Sequence, residues 1–292
     1  MSKLRLLVTG ASSQVGVALC ARAASAEMSV VWFDDSILNN LQLDSIQAAI
    51  STYKPHYVVN TASYSVVDLA QQNPQQNYAS NRDVAMVLAQ ACEGLNLPLL
   101  HLSTDYVFDG VASSPYKEDE QTNPQGVYGK TKLLGELAII QSGCKYVIIR
   151  TAWVFSEYGD NFLKTMLRLG SDRETLSIIY DQIGCPTYAQ DLAQAITCII
   201  IQFDLKNVKS GIYHYCGNKA CSWFDFATII FLAAKNEGYR VPECLTKITL
   251  AEYRALSERP LYSALDCSKI KTEFGIQPSD WSKGIRSAIK AL

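Results

Sequence analysis

The chain has little charge, few histidines and no cysteines at metal-binding spacing. Charged residues make up 18% of it and the formal net charge is -2, so no basic face is offered to nucleic acid and no nucleic-acid partner is expected. Nine cysteines form an odd set without a C-x-x-C pair. Cys20, Cys92 and Cys198 sit among apolar residues of expected helices, the pattern of buried reduced thiols and not of disulfides. The three histidines, His56, His101 and His214, are scattered, and they read as packing residues without a catalytic or metal role. Met1 to Gly10 runs straight into a strand and a loop without the regions of a signal peptide, so a cytoplasmic location is expected. The longest apolar stretch, near Ile196 to Ile201, falls far short of the ~20 residues that cross a bilayer, so no membrane partner is expected. No linker or internal repeat divides the 292 residues.

What is present is an apolar fraction of 48% arranged in a rhythm. Short apolar runs at Leu4-Val8, Val30-Phe33, Tyr57-Val59, Leu97-Leu102 and Tyr146-Ile149 alternate with stretches of helical periodicity, including Val15-Ala26, Ile46-Tyr53, Asp83-Cys92 and Lys132-Ile140. Continuous apolar strands between helices predict an α/β fold, a Rossmann-like doubly wound parallel sheet buried on both faces. Beyond about Phe155 the rhythm becomes irregular, which predicts a smaller interleaved C-terminal α/β lobe. Residues 1–155 plus roughly 186–206 are read as the dinucleotide-binding domain, and roughly 156–185 plus 207–292 as the substrate-binding lobe.

The first strand runs into Thr9-Gly10-Ala11-Ser12-Ser13-Gln14-Val15-Gly16 and then a helix. That is where a doubly wound fold receives a pyrophosphate, because backbone N–H groups and the helix dipole favour the anion. Gly10 and Gly16 suit a tight turn and close packing, whereas Ser13 stands where glycine is commoner. Asp34, at the end of the second strand, is placed to accept hydrogen bonds from an adenosine ribose and to repel a 2'-phosphate. No arginine lies beside it, so NADH is as acceptable as NADPH. Asn60-Thr61-Ala62-Ser63-Tyr64-Ser65 and Ser103-Thr104-Asp105-Tyr106-Val107-Phe108 fall at carboxyl ends of strands, where open sheets bind ligands. Small residues such as Ala62 and Ser63 let a cofactor pass closely, and Thr104 can hydrogen-bond a substrate carbonyl. Trp153 offers a flat apolar surface with one N–H donor; a core tryptophan has the same signature.

Tyr128 and Lys132 stand four residues apart and share one helix face. A free tyrosine has a pKa near ~10, so bringing it to neutral pH requires about 4 kcal/mol at ~1.36 kcal/mol per unit. A cation about 4 Å away supplies roughly that at an effective dielectric near ~20, although burial of the lysine opposes it. Such a pair can protonate a carbonyl during hydride transfer.

Together these segments, with Gly135-Glu136, Arg150 to Phe155, Asp181 to Thr187, Arg259-Pro260 and Ser263, resemble the extended short-chain dehydrogenase/reductase superfamily, and within it the dTDP-4-dehydrorhamnose reductase family, over nearly the whole chain. The resemblance implies reduction of the C4 ketone of dTDP-4-dehydro-L-rhamnose by NADPH or NADH, the last step of dTDP-L-rhamnose synthesis for cell-envelope polysaccharide. It implies Tyr128 as proton donor, Lys132 as the group that lowers its pKa and holds the nicotinamide ribose, and Thr104 as the carbonyl-positioning hydroxyl. Thr104, Asp105 and Trp153 match family positions for the sugar nucleotide. Gly10, Ser13, Gln14, Val15, Gly16, Asp34, Asn39, Asn40, Ala62, Ser63, Tyr64, Ser65 and Leu102, with Tyr128 and Lys132, match positions for the cofactor; Asn39 and Asn40 depend on an ungapped match. Three departures stand out: Ser13 for glycine, Tyr262 for the asparagine of an R-P-x-N-S run, and Ala18 and Gln190 where some members carry glutamates of an Mg2+ site that pairs subunits. No metal is expected, and the chain is read as a monomer or a homodimer without a metal bridge. The alternatives are a non-catalytic NAD(P)-binding regulatory subunit, resembling that of methionine adenosyltransferase, and a reductase or epimerase of another nucleotide sugar.

Overall fold

A computed structural model of the protein describes residues 4–33, 35–205 and 210–292. Six strands form one parallel sheet: β1 (Arg5–Thr9), β2 (Ser29–Trp32), β3 (Tyr57–Asn60), β4 (Leu99–Thr104), β5 (Tyr146–Thr151) and β6 (Gly211–His214), in spatial order β6-β5-β4-β3-β1-β2. Every neighbouring pair runs parallel. Alternate side chains of a strand point to opposite faces. Leu6, Val8, Val59, Leu100, Val147 and Ile149 therefore pack beneath the helices Gln14–Ser25 and Ala189–Leu205. Leu7, Val58, Leu99 and Ile148 pack on the other face with the helices Leu43–Tyr53, Val84–Gly94 and Val127–Ser142. Both faces are covered, which is why the central strands carry no polar alternation.

The chain leaves β1 in one direction for β2 and returns on the other side for β3, so a crevice opens at the carboxyl ends of β1 and β3. Strand β6 was not anticipated. It pairs with β5 from Gly211↔Val147 to His214↔Arg150, which moves this segment into the sheet and out of the lobe assigned to 207–292. The smaller lobe has its own core, in which Phe155, Leu163, Met166, Phe226, Ile230, Trp281 and Ile285 meet. Its two-stranded ladders include Thr175–Ile179 with Cys244–Ile248 in parallel and Ile183–Gly184 with Cys221–Ser222 antiparallel. Among the described residues no helix is long and apolar enough to cross a membrane.

Candidate active site

The loop after β1 is built for close approach. Gly10 has φ +64°, and a Cβ there would lie 2.5 Å from the Ala62 backbone. A Cβ on Gly16 would lie 2.4 Å from the Gly10 carbonyl oxygen. Ser13, the departure from glycine, is extended at φ -68° and ψ 161° and needs no glycine. Its hydroxyl accepts from the Gly16 N–H at 3.0 Å and lies 3.2 Å from Thr61 Oγ1. The serine thus caps the helix that follows. Gln14 reaches the smaller lobe, its Oε1 accepting from Ser156 Oγ and Asn161 Nδ2, both at 2.9 Å.

Two adjoining cavities follow the crevice. One of about 330 Å3 is lined by Gly10, Ser12, Ser13, Leu38, Asn39, Ala62, Ser63 and Tyr64. The second, about 150 Å3, is lined by Ser13, Gln14, Val15, Ser63, Ser65, Leu102, Tyr128 and Lys132. Gly16 packs behind the loop, and Asn40 is exposed in the turn after Asp35–Asn39. Asp34 lies outside the described residues. A π-helical turn, Ala79–Asp83, shapes the wall: Asn81 Oδ1 accepts from Tyr64 N at 3.0 Å and from Ser63 Oγ at 3.2 Å, and its Nδ2 donates to Thr131 Oγ1 at 3.2 Å. Such turns recur at functional sites.

Tyr128 stands in the first turn of the helix Val127–Ser142, beside Thr104 at the end of β4. Burial pushes its phenol up to about 12; the Thr104 and Ser63 hydroxyls oppose this, and the Asp105 charge adds to it. In the structure burial outweighs any pull from Lys132 on the phenol. Lys132 is 1% exposed, its ammonium donates to the Leu102 carbonyl at 2.5 Å, and burial brings it down to about 8 against the attraction of Glu136. A phenol of raised pKa keeps its proton at neutral pH, which is the state an acid needs. Glu136 is itself held by Arg150, at 2.7 Å from Nη2, and by the Ser103 hydroxyl.

Asp105 is 2% exposed, and burial pushes its carboxyl up to about 7. Trp153 has φ +47° and stacks face to face on Trp223, centroids 3.5 Å apart and planes 8° from parallel. Gly184 abuts the same indole, since a Cβ there would lie 2.4 Å from the ring. Trp153 is thus half of a paired wall and not the open flat surface expected of it. Gln182 Oε1 accepts from Trp223 Nε1 at 3.0 Å, and Gln182 Nε2 donates to the Pro260 carbonyl at 3.1 Å. Arg259 Nη2 meets Asp68 Oδ2 at 2.8 Å, and Ser257 donates to Asp68 Oδ1 at 2.8 Å. These bonds draw together the segments 60–68, 181–187 and 257–263, which are remote in sequence. Sequence reasoning quoted Glu136, Gln182 and Arg259 without a role, and Asp68, Asn81 and Trp223 were not singled out. For Trp223 the available signal was Ser222, the helix cap before it.

Ala18 is fully buried, and Gln190 Nε2 donates to Glu157 Oε1 at 3.0 Å. Among the described residues no group of three or more His, Cys, Asp or Glu is arranged to hold a metal ion.

The family model for the RmlD substrate binding domain matches residues 4–292. A dTDP-4-dehydrorhamnose reductase of Aggregatibacter actinomycetemcomitans is 41% identical over 287 residues, 97% of this chain and 97% of that one. The solved dTDP-4-dehydrorhamnose reductase of Bacillus anthracis, in complex with NADP, superimposes with a TM-score of 0.90 at 32% identity and covers 99% of this chain and 100% of its own. A Clostridium acetobutylicum counterpart gives a TM-score of 0.90 at 33% identity, covering 99% of each chain.

Proposed function

The chain belongs to the RmlD substrate binding domain family, and on that premise we propose that it reduces the C4 ketone of dTDP-4-dehydro-L-rhamnose with NADPH or NADH, giving dTDP-L-rhamnose. The observation that carries the reading is one arrangement: the Tyr128 phenol, the Thr104 hydroxyl and the buried Lys132 meet at a strand end beside the dinucleotide crevice.

The residues present fit a dinucleotide, because the close packing of Gly10 on the Ala62 backbone leaves a cavity of about 330 Å3 at the loop before the helix Gln14–Ser25, lined by Gly10, Ser12, Ser13, Asn39, Ala62 and Ser63. The bound nicotinamide supplies a hydride. Gly10, Ser13, Gln14, Val15, Gly16, Asp34, Asn39, Asn40, Ala62, Ser63, Tyr64, Ser65 and Leu102 would hold it, and Lys132 would bind its nicotinamide ribose. Asn40 has the least support of these, being exposed in its turn.

Tyr128 gives its phenolic proton to the C4 oxygen as that oxygen gains negative charge. The Thr104 hydroxyl binds the same oxygen and keeps the ketone beside the phenol. The phenolate left behind is stabilised by hydrogen bonds from Thr104 and Ser63, the influences that already favour the charged form. Asp105 and Trp153 contact the sugar nucleotide, and the Asp68–Arg259 bridge holds the lobe that carries the substrate over the crevice.

Two finer readings accompany this one. The location is cytoplasmic, supported by nine cysteines that are all free thiols. The assembly is a monomer or a homodimer without a metal bridge, since neither Ala18 nor Gln190 offers a carboxylate to a hard cation. Light scattering that changes with added Mg2+ would contradict the second. The function is tested by supplying dTDP-4-dehydro-L-rhamnose with NADPH or NADH to the purified protein, following cofactor oxidation and identifying the sugar. Cofactor binding without turnover would make the chain a binding subunit.

A further inference from the structure

A buried polar chain lies behind Lys132. Thr9 Oγ1 donates to Asn60 Oδ1 at 2.7 Å, and the Ala62 backbone N–H donates to the same oxygen at 3.1 Å. A backbone N–H can only donate, so the amide orientation is fixed by the network: Oδ1 accepts, and Nδ2 faces His101 Nδ1 at 3.0 Å. Nδ1 must then present its lone pair. His101 is 1% exposed, and burial together with the Lys132 charge holds it well below the usual histidine range, so the ring is neutral. In a neutral imidazole whose Nδ1 accepts, the proton sits on Nε2. That Nε2 lies 3.4 Å from Lys132 Nζ. An N–H aimed at an ammonium sets donor against donor, whereas the same N–H aimed at an amine finds a lone pair.

We propose that Asn60 and His101 form a tautomer lock that points an N–H at Lys132 and favours its amine over its ammonium. The consequence for catalysis rests on the reading of Lys132 as a cofactor-site residue. The other charged or titratable groups around the lysine are Glu136 and Tyr128, on its own helix, and Arg150 on β5. Arg150 is occupied by Glu136, and Glu136 pulls toward the ammonium. The lysine thus stands between a carboxylate that favours its charge and an imidazole N–H that opposes it. His101 is a positioning residue: it acts through Lys132.

Two variants separate the lock from mere packing. Asn60→Asp keeps an acceptor for Thr9 and Ala62 and, as the carboxylate, cannot donate to Nδ1, so the imidazole must reverse its tautomer and offer a lone pair to the lysine. His101→Phe removes the N–H and keeps a ring. Imidazole 15N spectra of the full chain read the tautomer directly, and with three histidines the His101 signals are those lost in His101→Phe. The Lys132 side-chain NMR titration and the alkaline fall in NADPH affinity read the consequence. The expected result is a proton on Nε2 in the wild type and on Nδ1 in Asn60→Asp. The Lys132 titration should move up by about one pH unit in both variants, which restores affinity about tenfold where the wild type has lost it. A wild-type proton on Nδ1 overturns the lock, as does a Lys132 titration unchanged in His101→Phe, the variant that removes the N–H without adding a charge. If the titration moves and NADPH affinity does not follow, the lock stands and the cofactor role of Lys132 fails.

Discussion

Replacing Asp105 by asparagine should make the protein's stability less sensitive to alkali. The carboxyl is 2% exposed at the end of β4, and burial pushes it up to about 7 while the Ser263 and Thr104 hydroxyls oppose that rise. In the unfolded chain an aspartate titrates near ~3.9. The folded value lies above the unfolded one, so the folded state binds the proton more tightly. The stability this contributes is complete below about pH 3.9 and is lost as pH rises through about 7. At ~1.36 kcal/mol per unit the loss approaches roughly 4 kcal/mol, of which about 3 kcal/mol falls between about pH 5 and pH 8. The replacing asparagine has nearly the same shape and no ionisation. Any mispairing of its amide adds a cost that does not vary with pH. The measurement is urea unfolding of both proteins across that range, with the slopes checked for equality. The stability of the variant minus that of the wild type should rise by roughly 3 kcal/mol from about pH 5 to pH 8. A difference flat in pH would show that Asp105 does not titrate in this window, and the burial argument would fail.

Glu136→Gln leaves Arg150, whose side chain is 3% exposed, without its counter-charge. The expected cost is about 3–5 kcal/mol of unfolding free energy, and denaturant titration showing under about 1 kcal/mol would contradict it. The same change removes the carboxylate that favours the charged form of Lys132, so the alkaline fall in activity should begin at lower pH. Gly184→Ala places a methyl 2.4 Å from the Trp153 ring and must shift that indole from its place. Steady-state kinetics should show a raised KM for the sugar nucleotide with the KM for NADPH unchanged. Equal changes in both would remove the Trp153–Trp223 wall from the substrate side.

Local pattern carried the sheet but not everything attached to it. Strands β1, β3, β4 and β5 announced themselves because burial on both faces demands apolar runs, and the half-buried edge strand β2 through its Val30-Val31 pair. Strand β6 did not, since Gly211-Ile212-Tyr213-His214 is short and half polar, and its identity comes from pairing with β5. Ser13 read as a defect because the glycine pattern says nothing of capping; the fold turns it into the N-cap of the next helix. The spacing of Tyr128 and Lys132 was legible, but the direction of the phenol's shift was not. That direction depends on burial, which outweighs the Thr104 and Ser63 hydroxyls and which no spacing reveals. The Trp153 partner and the Asp68–Arg259 bridge join segments remote in sequence, so no local periodicity could reveal them.

The central claim is that Tyr128 protonates the C4 oxygen of the sugar nucleotide. Its most direct test compares single-turnover reduction by the wild type and Tyr128→Phe, with saturating NADPH and dTDP-4-dehydro-L-rhamnose. Loss of the positioned acid should slow the chemical step by about 10²–10⁴-fold, with unfolding midpoint and NADPH affinity nearly unchanged. A variant that reduces the ketone at the wild-type single-turnover rate would contradict the account.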